Sequence, residues 1–218
     1  MKVLRLAAIG LGVAFGAFSK SHSPAGLTVH ESPDRVVMRW SGPVEPPMLE
    51  KFERAFQQHE GDDRKIVISL NSGGGLVDHG YQVIALIRRE ARNHTIDTVV
   101  EAGRTCASMC VPIFLTGADR NADPAARFMF HEVSFRLPPS AEQKLRDLKR
   151  NAPTLDLDMI RKTMVVRATD EFYEEYFAPR GVNSRWLSDM RRNIQGRDIW
   201  RTGQQLVEQR SGVVDALR

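Results

Sequence analysis

Predicted strands and helices alternate along residues 35–133, and this alternation limits the possible folds more than any other feature of the chain. Residues 65–70 (KIVISL) are almost continuously apolar, which is typical of a strand buried on both faces of a sheet. Residues 77–92 then repeat apolar side chains along one helical face. Such strand–helix–strand units build parallel sheets with right-handed crossovers, so the sequence predicts an α/β fold with a parallel sheet. Further strands are predicted at 35–42, 95–102 and 126–133, and further helices at 48–60 and 107–115.

The second half of the chain changes character and predicts a helical insert at 138–178. A charged helical stretch ends near Pro153, and a long helix follows over 155–177. We expect this insert to pack as an arm on the sheet or on another subunit. The sequence contains no internal repeat, so residues 35–218 are predicted to form one domain. The apolar contacts expected from the long helix are Leu157, Ile160, Met164 and Val165. The elements predicted after the insert are helices at 183–192 and 202–208 and strands at 199–200 and 212–217.

The N-terminal residues have the layout of a secretory signal peptide. Lys2 and Arg5 precede the apolar run 6–18, and small residues follow at positions suited to cleavage after Ser19. The apolar run is shorter than the ~20 residues that a membrane span needs. We therefore expect a signal peptide at 1–19 and export to the periplasm or the medium. An uncleaved N-terminal anchor is the alternative, and it would be the chain's one membrane contact. Residues 20–34 are polar and are predicted to form a flexible lead-in.

Composition and charge argue against several classes of partner. The chain has 218 residues with 42% hydrophobic content, which is ordinary for a globular protein. Its net charge is +4, but basic residues are interleaved with acidic ones and form no stripe with aromatic residues. Nucleic acid binding is therefore not expected. Two cysteines without a paired histidine cluster do not supply a metal site, so no metal is expected.

Three segments carry the residue types that acyl-transfer chemistry needs. Ser108 stands between a predicted strand and a predicted helix, and His131 lies at the end of the next apolar strand. A serine hydroxyl needs an adjacent base, usually histidine, and backbone N–H donors for the developing oxyanion. Unpaired donors occur at helix N-termini and glycine turns, and Gly74 and Gly75 lie at such a turn. This combination predicts a serine hydrolase.

The residue patterns of four segments, and their order along the chain, resemble those of a known family. They are NSGGG at 71–75, GRTCASM at 103–109, RFMFH at 127–131, and a closing stretch at 200–215. The Clp protease proteolytic subunit and its relatives of the ClpP/crotonase fold, including signal peptide peptidase A, carry similar segments in the same order. The resemblance covers about residues 65–216. It implies the repeated ββα spiral of that fold, with a parallel sheet and the helical arm in the C-terminal half.

The resemblance also implies roles for individual residues. Ser108 corresponds to the nucleophile and His131 to the general base. The amides of Gly74 or Gly75, together with that of Met109, correspond to the oxyanion hole.

The third member of the triad is less sharply defined by the sequence. In the family an aspartate follows the histidine by roughly fifty residues. Asp189, on a predicted short helix, is the first choice, Asp198 is its competitor, and Asp170 is a third candidate.

Two residues depart from the family pattern, one in the glycine turn and one in the turn that carries Ser108. Gly73 stands where the family has proline, and Cys110 stands where it has glycine after Ser-Met. In an oxidising compartment Cys106 and Cys110 are candidates for a disulfide that would clamp the Ser108 turn. In a regular helix their Cα atoms would lie about 6 Å apart, near the upper part of the permitted range, so both the disulfide and two buried thiols remain open.

The expected function is that of an exported ClpP-like serine peptidase that needs no cofactor. Peptides or proteins are the expected substrates, and the resemblance implies a homo-oligomer. The departures at Gly73 and Cys110 leave a non-catalytic relative that binds peptides or partners as an alternative. A crotonase-like acyl-CoA enzyme is a weaker alternative, because export would separate it from cytosolic coenzyme A.

Overall fold

The computed structural model describes residues 26–134 and 137–218. The signal peptide predicted at 1–19 and the first part of the predicted lead-in lie outside these residues. The described strands, in chain order, are β1 (Gly26–Glu31), β2 (Arg35–Ser41), β3 (Lys65–Asn71), β4 (Ile96–Val100), β5 (Thr105–Ala107), β6 (Arg120–Ala122), β7 (Arg127–Phe130), β8 (Ile199–Thr202) and β9 (Ala216–Leu217). The described helices are α1 (Met48–Gln58), α2 (Val77–Glu90), α3 (Cys110–Phe114), α4 (Pro139–Asn151), α5 (Leu157–Tyr176), α6 (Ser184–Asn193) and α7 (Gly203–Glu208), with a 3-10 helix at Ala178–Arg180.

Two sheets organise the described residues. The larger one has the strand order β1-β2-β3-β4-β6-β9, and every pairing in it is parallel except that of β1 with β2. The smaller one has the order β5-β7-β8, with β5 and β7 parallel and β8 antiparallel to β7. The predicted α/β class with a largely parallel sheet is confirmed.

The central strand and the first two helices form as their apolar periods predict. Ile66, Ile68 and Leu70 of β3 are fully buried. Helix α1 buries Phe52 and Phe56 from one face, as expected for side chains one helical turn apart. Burying such a continuous apolar surface is the main driving force for folding, and it fixes these elements in one layered core.

One predicted loop is a strand. Residues 26–31, which were expected to belong to the flexible lead-in, form β1 and pair with β2 along their whole length. Leu27 and Val29 pack against the core from this strand. With only two apolar residues in a polar stretch, the pattern is too weak to identify such an edge strand.

The helical arm packs on the core through the C-terminal end of α5, and not through the residues that the sequence predicts. Met164 is exposed, and the buried residues of α5 are Thr169, Tyr173 and Tyr176 near its C-terminal end. In the N-terminal half of α5, the side chain of Met159 is 65% exposed.

Within 26–134 and 137–218, no helix has both the length and the apolar character to span a membrane.

Replacing Phe114 by alanine tests the core beneath the second sheet. Phe114 of α3 is fully buried and packs edge-to-face on Phe128 of β7, with ring centroids 5.2 Å apart. The cavity left by Phe114→Ala should lower the free energy of unfolding by about 3–5 kcal/mol in urea titrations. Gln57→Ala, at an exposed position of α1, is the control and should change it by less than about 0.5 kcal/mol. Equal effects of the two changes would contradict this packing.

Candidate active site

Ser108 occupies a tight turn between a strand and a helix. Strand β5 ends at Ala107, and α3 begins at Cys110. Ser108 has φ of +53°, a left-handed conformation that non-glycine residues adopt rarely and mostly where the surroundings enforce it. Its N–H donates to the carbonyl of Met129 at 3.0 Å, and its carbonyl accepts from the N–H of Val111 at 2.9 Å. The backbone of Ser108 is therefore held from both sides.

His131 reaches Ser108 because β5 and β7 are parallel neighbours. Their register sets Ala107 opposite Met129, so the residues that follow the two strands emerge at the same edge. The Nε2 atom of His131 lies 2.6 Å from the Oγ atom of Ser108, a hydrogen-bond distance. The structure thus brings together the serine and the histidine that the sequence singled out.

Tyr173 of α5 supports His131 from behind. Its hydroxyl donates to the His131 carbonyl oxygen at 3.1 Å. Burial is the main cause that raises the pKa of the Tyr173 phenol, so the hydroxyl stays neutral and keeps its proton to donate. The arm thereby fixes the segment that carries the imidazole.

The carboxylate that faces His131 belongs to Asp198 and not to Asp189. The Oδ1 atom of Asp198 lies 3.8 Å from the Nδ1 atom of His131. Strand β8 runs antiparallel to β7 with Ile199 opposite Phe130, so the next pair in this register is Asp198 and His131.

Asp189 and Asp170, the other two candidates, have basic partners elsewhere. Asp189 lies on α6 and pairs with Arg192 of the same helix. Asp170 of α5 accepts a hydrogen bond from Nε of Arg191 at 2.9 Å. The first choice from the sequence is therefore replaced by its competitor, because strand register and not spacing along the chain decides which carboxylate meets the histidine.

The expected oxyanion donors are only partly free. The Gly74 amide donates to Oγ of Ser72 at 3.1 Å. Within the described part of the chain, the amides of Gly75 and Met109 donate to no acceptor. Gly74 has φ of +90°, and a Cβ atom there would lie 2.6 Å from the Cβ of Ser108. The glycine is thus required for the close approach of the two turns, while Gly75 and Met109 supply the available N–H groups.

Cys106 and Cys110 form a disulfide that spans the Ser108 turn. Their Cα atoms are 5.2 Å apart, and both side chains are fully buried. The objection from helical geometry does not apply, because Cys106 lies in β5 and only Cys110 lies in the helix. The bond joins the end of the strand to the start of the helix and closes a short ring around Ser108.

A small pocket of about 60 Å³ opens beside Ser108 and His131. Its walls are mainly apolar and aromatic, which suits an uncharged side chain. The pocket walls include Val77, Met129, Phe130, Phe172, Tyr173 and Phe177.

Among the described residues, no three His, Cys, Asp or Glu side chains are grouped so as to hold a metal ion.

A comparison with family models identifies the family of the chain. A model of the Clp protease family matches residues 53–170, which is more than half of the chain. The chain therefore belongs to the Clp protease family, as the resemblance at its motifs implied, and this makes it a ClpP-like peptidase at the level of the family. The matched range contains the glycine turn, Ser108 and His131. No curated protein matches the chain.

Sequence reasoning did not identify Tyr173 and ranked Asp198 second. Tyr173 stands among several aromatic residues of a long helix, and nothing local distinguishes the one that meets His131. For Asp198 a usable pattern existed, since it directly precedes the apolar pair Ile199-Trp200 of a predicted strand. Pairing that strand with 126–133 would have brought the aspartate next to the histidine.

Removing both cysteines tests the contribution of the disulfide. Closing so short a ring lowers the entropy of the unfolded chain, so Cys106→Ala/Cys110→Ala should lower the free energy of unfolding by about 2 kcal/mol in urea titrations. Intact mass after alkylation of the denatured protein supplies the control. The wild type should gain no alkyl group before reduction and two after it. Two groups gained without reduction would contradict the bond.

Proposed function

We propose that this protein is a serine peptidase that hydrolyses peptide bonds with Ser108 as nucleophile and His131 as general base. The observation that carries the proposal is the 2.6 Å contact between Ser108 Oγ and His131 Nε2. Membership of the Clp protease family supports peptide bonds as the substrate class. A lone serine is a weak nucleophile at neutral pH, and a hydrogen-bonded imidazole provides the base that activates it.

The reaction follows from the positions of the groups. Ser108 Oγ attacks the peptide carbonyl while its proton passes to His131 Nε2. The carbonyl oxygen becomes an oxyanion, which the amides of Gly75 and Met109 stabilise because they are already free to donate. His131 then protonates the departing amine, and the acyl group remains on Ser108 as an ester. A water molecule, deprotonated by His131, hydrolyses the ester and restores both residues.

Asp198 serves in this scheme as the group that orients the imidazole. Its carboxylate faces Nδ1 of His131 and favours the tautomer whose Nε2 atom is free to accept the serine proton. The side chain of Asp198 is 60% exposed, and the distance of 3.8 Å is longer than a hydrogen bond. Solvent therefore weakens its effect relative to a buried carboxylate.

We also propose that the protein is exported and works as an oligomer. The layout of residues 1–19 supports export, and the disulfide at Cys106 and Cys110 is of the kind that persists in oxidising compartments. Several large apolar side chains on the arm are exposed, and they offer apolar surface for a contact between subunits. They are Leu148, Met159, Met164 and Val166.

A fluorophosphonate probe tests the nucleophile directly. The wild type should be labelled at Ser108, and Ser108→Ala should not be labelled because no nucleophile remains. His131→Ala should slow labelling by about 100-fold or more. Ser188→Ala is a matched control, since Ser188 is an exposed serine of α6 that lines neither the pocket nor its surroundings, and it should keep the wild-type rate. Labelling that persists in Ser108→Ala, or none in the folded wild type, would refute the proposal.

Two aspartate variants distinguish the triad candidates. Asp198→Asn removes the charge that faces His131 and should lower kcat/KM for a peptide substrate by about 10- to 100-fold. Asp189→Asn leaves that charge in place and should stay within about twofold of the wild type. The reverse order of effects would assign the orienting role to Asp189.

A further inference from the structure

A large groove leads away from the Ser108 pocket. It encloses about 970 Å³ and shares with the pocket the walls formed by Gly75, Val77, Val133, Ser134 and Phe172. A peptide whose carbonyl lies at Ser108 and whose side chain fills the pocket therefore continues into this groove.

The groove is lined by four carboxylates. They are Glu50, Asp78, Glu171 and Glu175, and no lysine or arginine of the described residues joins them in the lining. Glu171 pairs with Arg167 at 2.8 Å. Within the described part of the chain, the other three form no ion pair.

Two further polar groups of the groove do not neutralise this charge. Glu175 accepts a hydrogen bond from the hydroxyl of Tyr176 at 2.9 Å, which leaves its charge unchanged. His79 also lines the groove, and its Nε2 atom accepts from the amide of Leu49 at 3.3 Å. Because an accepting nitrogen carries no proton, the His79 ring is neutral in this arrangement.

Aromatic side chains lie beside the carboxylates. Tyr81 lines the groove and stacks on Tyr176, with ring centroids 4.8 Å apart, and Phe172 forms a second aromatic wall. Burial and then the charge of Glu175 raise the pKa of the Tyr81 phenol, in keeping with a carboxylate close to this ring. Aromatic faces next to carboxylates attract lysine and arginine side chains.

We propose that this groove selects peptides with a lysine or arginine close to the scissile bond. The inference rests on the proposed peptidase function and adds a substrate class to it. An extended chain leaving Ser108 brings its neighbouring side chains alongside Asp78, Glu175 and the Tyr81 ring. A basic side chain there gains both the uncompensated charge and the aromatic contact. The small apolar pocket meanwhile takes the uncharged residue next to the cleaved bond.

Binding to the Ser108→Ala variant tests the inference without relying on catalysis. The probes are three fluorescein-labelled heptapeptides with a central leucine, flanked two residues away on each side by lysine, norleucine or glutamate. Fluorescence anisotropy should show the lysine peptide binding about 10-fold more tightly than the norleucine peptide, and the glutamate peptide most weakly. Raising the salt from about 50 to 500 mM should reduce the difference, since screening weakens exposed charge contacts.

Matched variants assign the preference to the groove. Adding Asp78→Asn/Glu175→Gln to Ser108→Ala should bring the lysine and norleucine peptides to within about threefold of each other and leave norleucine binding unchanged. Glu208→Gln, on α7 and outside the groove lining, should keep the full preference. Equal binding of the three peptides, or a preference that survives the double variant, would overturn the inference. Loss of fluorophosphonate labelling in the wild type would instead overturn the peptidase function, so the two failures are distinguishable.

Discussion

The parallel pairing of β5 with β7 determines where the groups of the candidate active site meet. It sets Ala107 beside Met129, and the Ser108 amide extends the pairing by one more hydrogen bond to Met129. The serine and the histidine then leave the same edge of one small sheet. A shift of one residue in this register would turn one of the two side chains to the opposite face.

The remaining groups of the site follow from pairings on either side of these two strands. An isolated bridge between Ser72 and Cys106 brings the glycine turn against β5, where Gly74 contacts Ser108. On the other side, the antiparallel β8 brings Asp198 to His131. The disulfide and the left-handed backbone of Ser108 keep the turn between strand and helix in one conformation. A rigid frame of this kind is what preorganised N–H donors require.

The sequence predicts the residues with strong local patterns, but it misses or ranks too low those decided by pairing over long distances. Ser108, His131 and the glycine turn each stand at a recognisable boundary between a strand and a helix. Asp198 lies about 67 positions beyond His131, and only the register of β8 on β7 brings the two together. Similarly, β1 is held by its pairing with β2, and Tyr173 is selected by how the arm folds back on the sheet. Neither fact is encoded in a short stretch of sequence.

The central claim is that one carbonyl carbon can contact Ser108 while its oxygen accepts hydrogen bonds from Gly75 and Met109. The most direct test is a crystal structure of the protein after reaction with diisopropyl fluorophosphate. The account predicts phosphorus bonded to Ser108 Oγ, with the phosphoryl oxygen about 3 Å from both amide nitrogens and His131 still adjacent. An adduct on another residue, or a phosphoryl oxygen that points away from both amides into solvent, would contradict it.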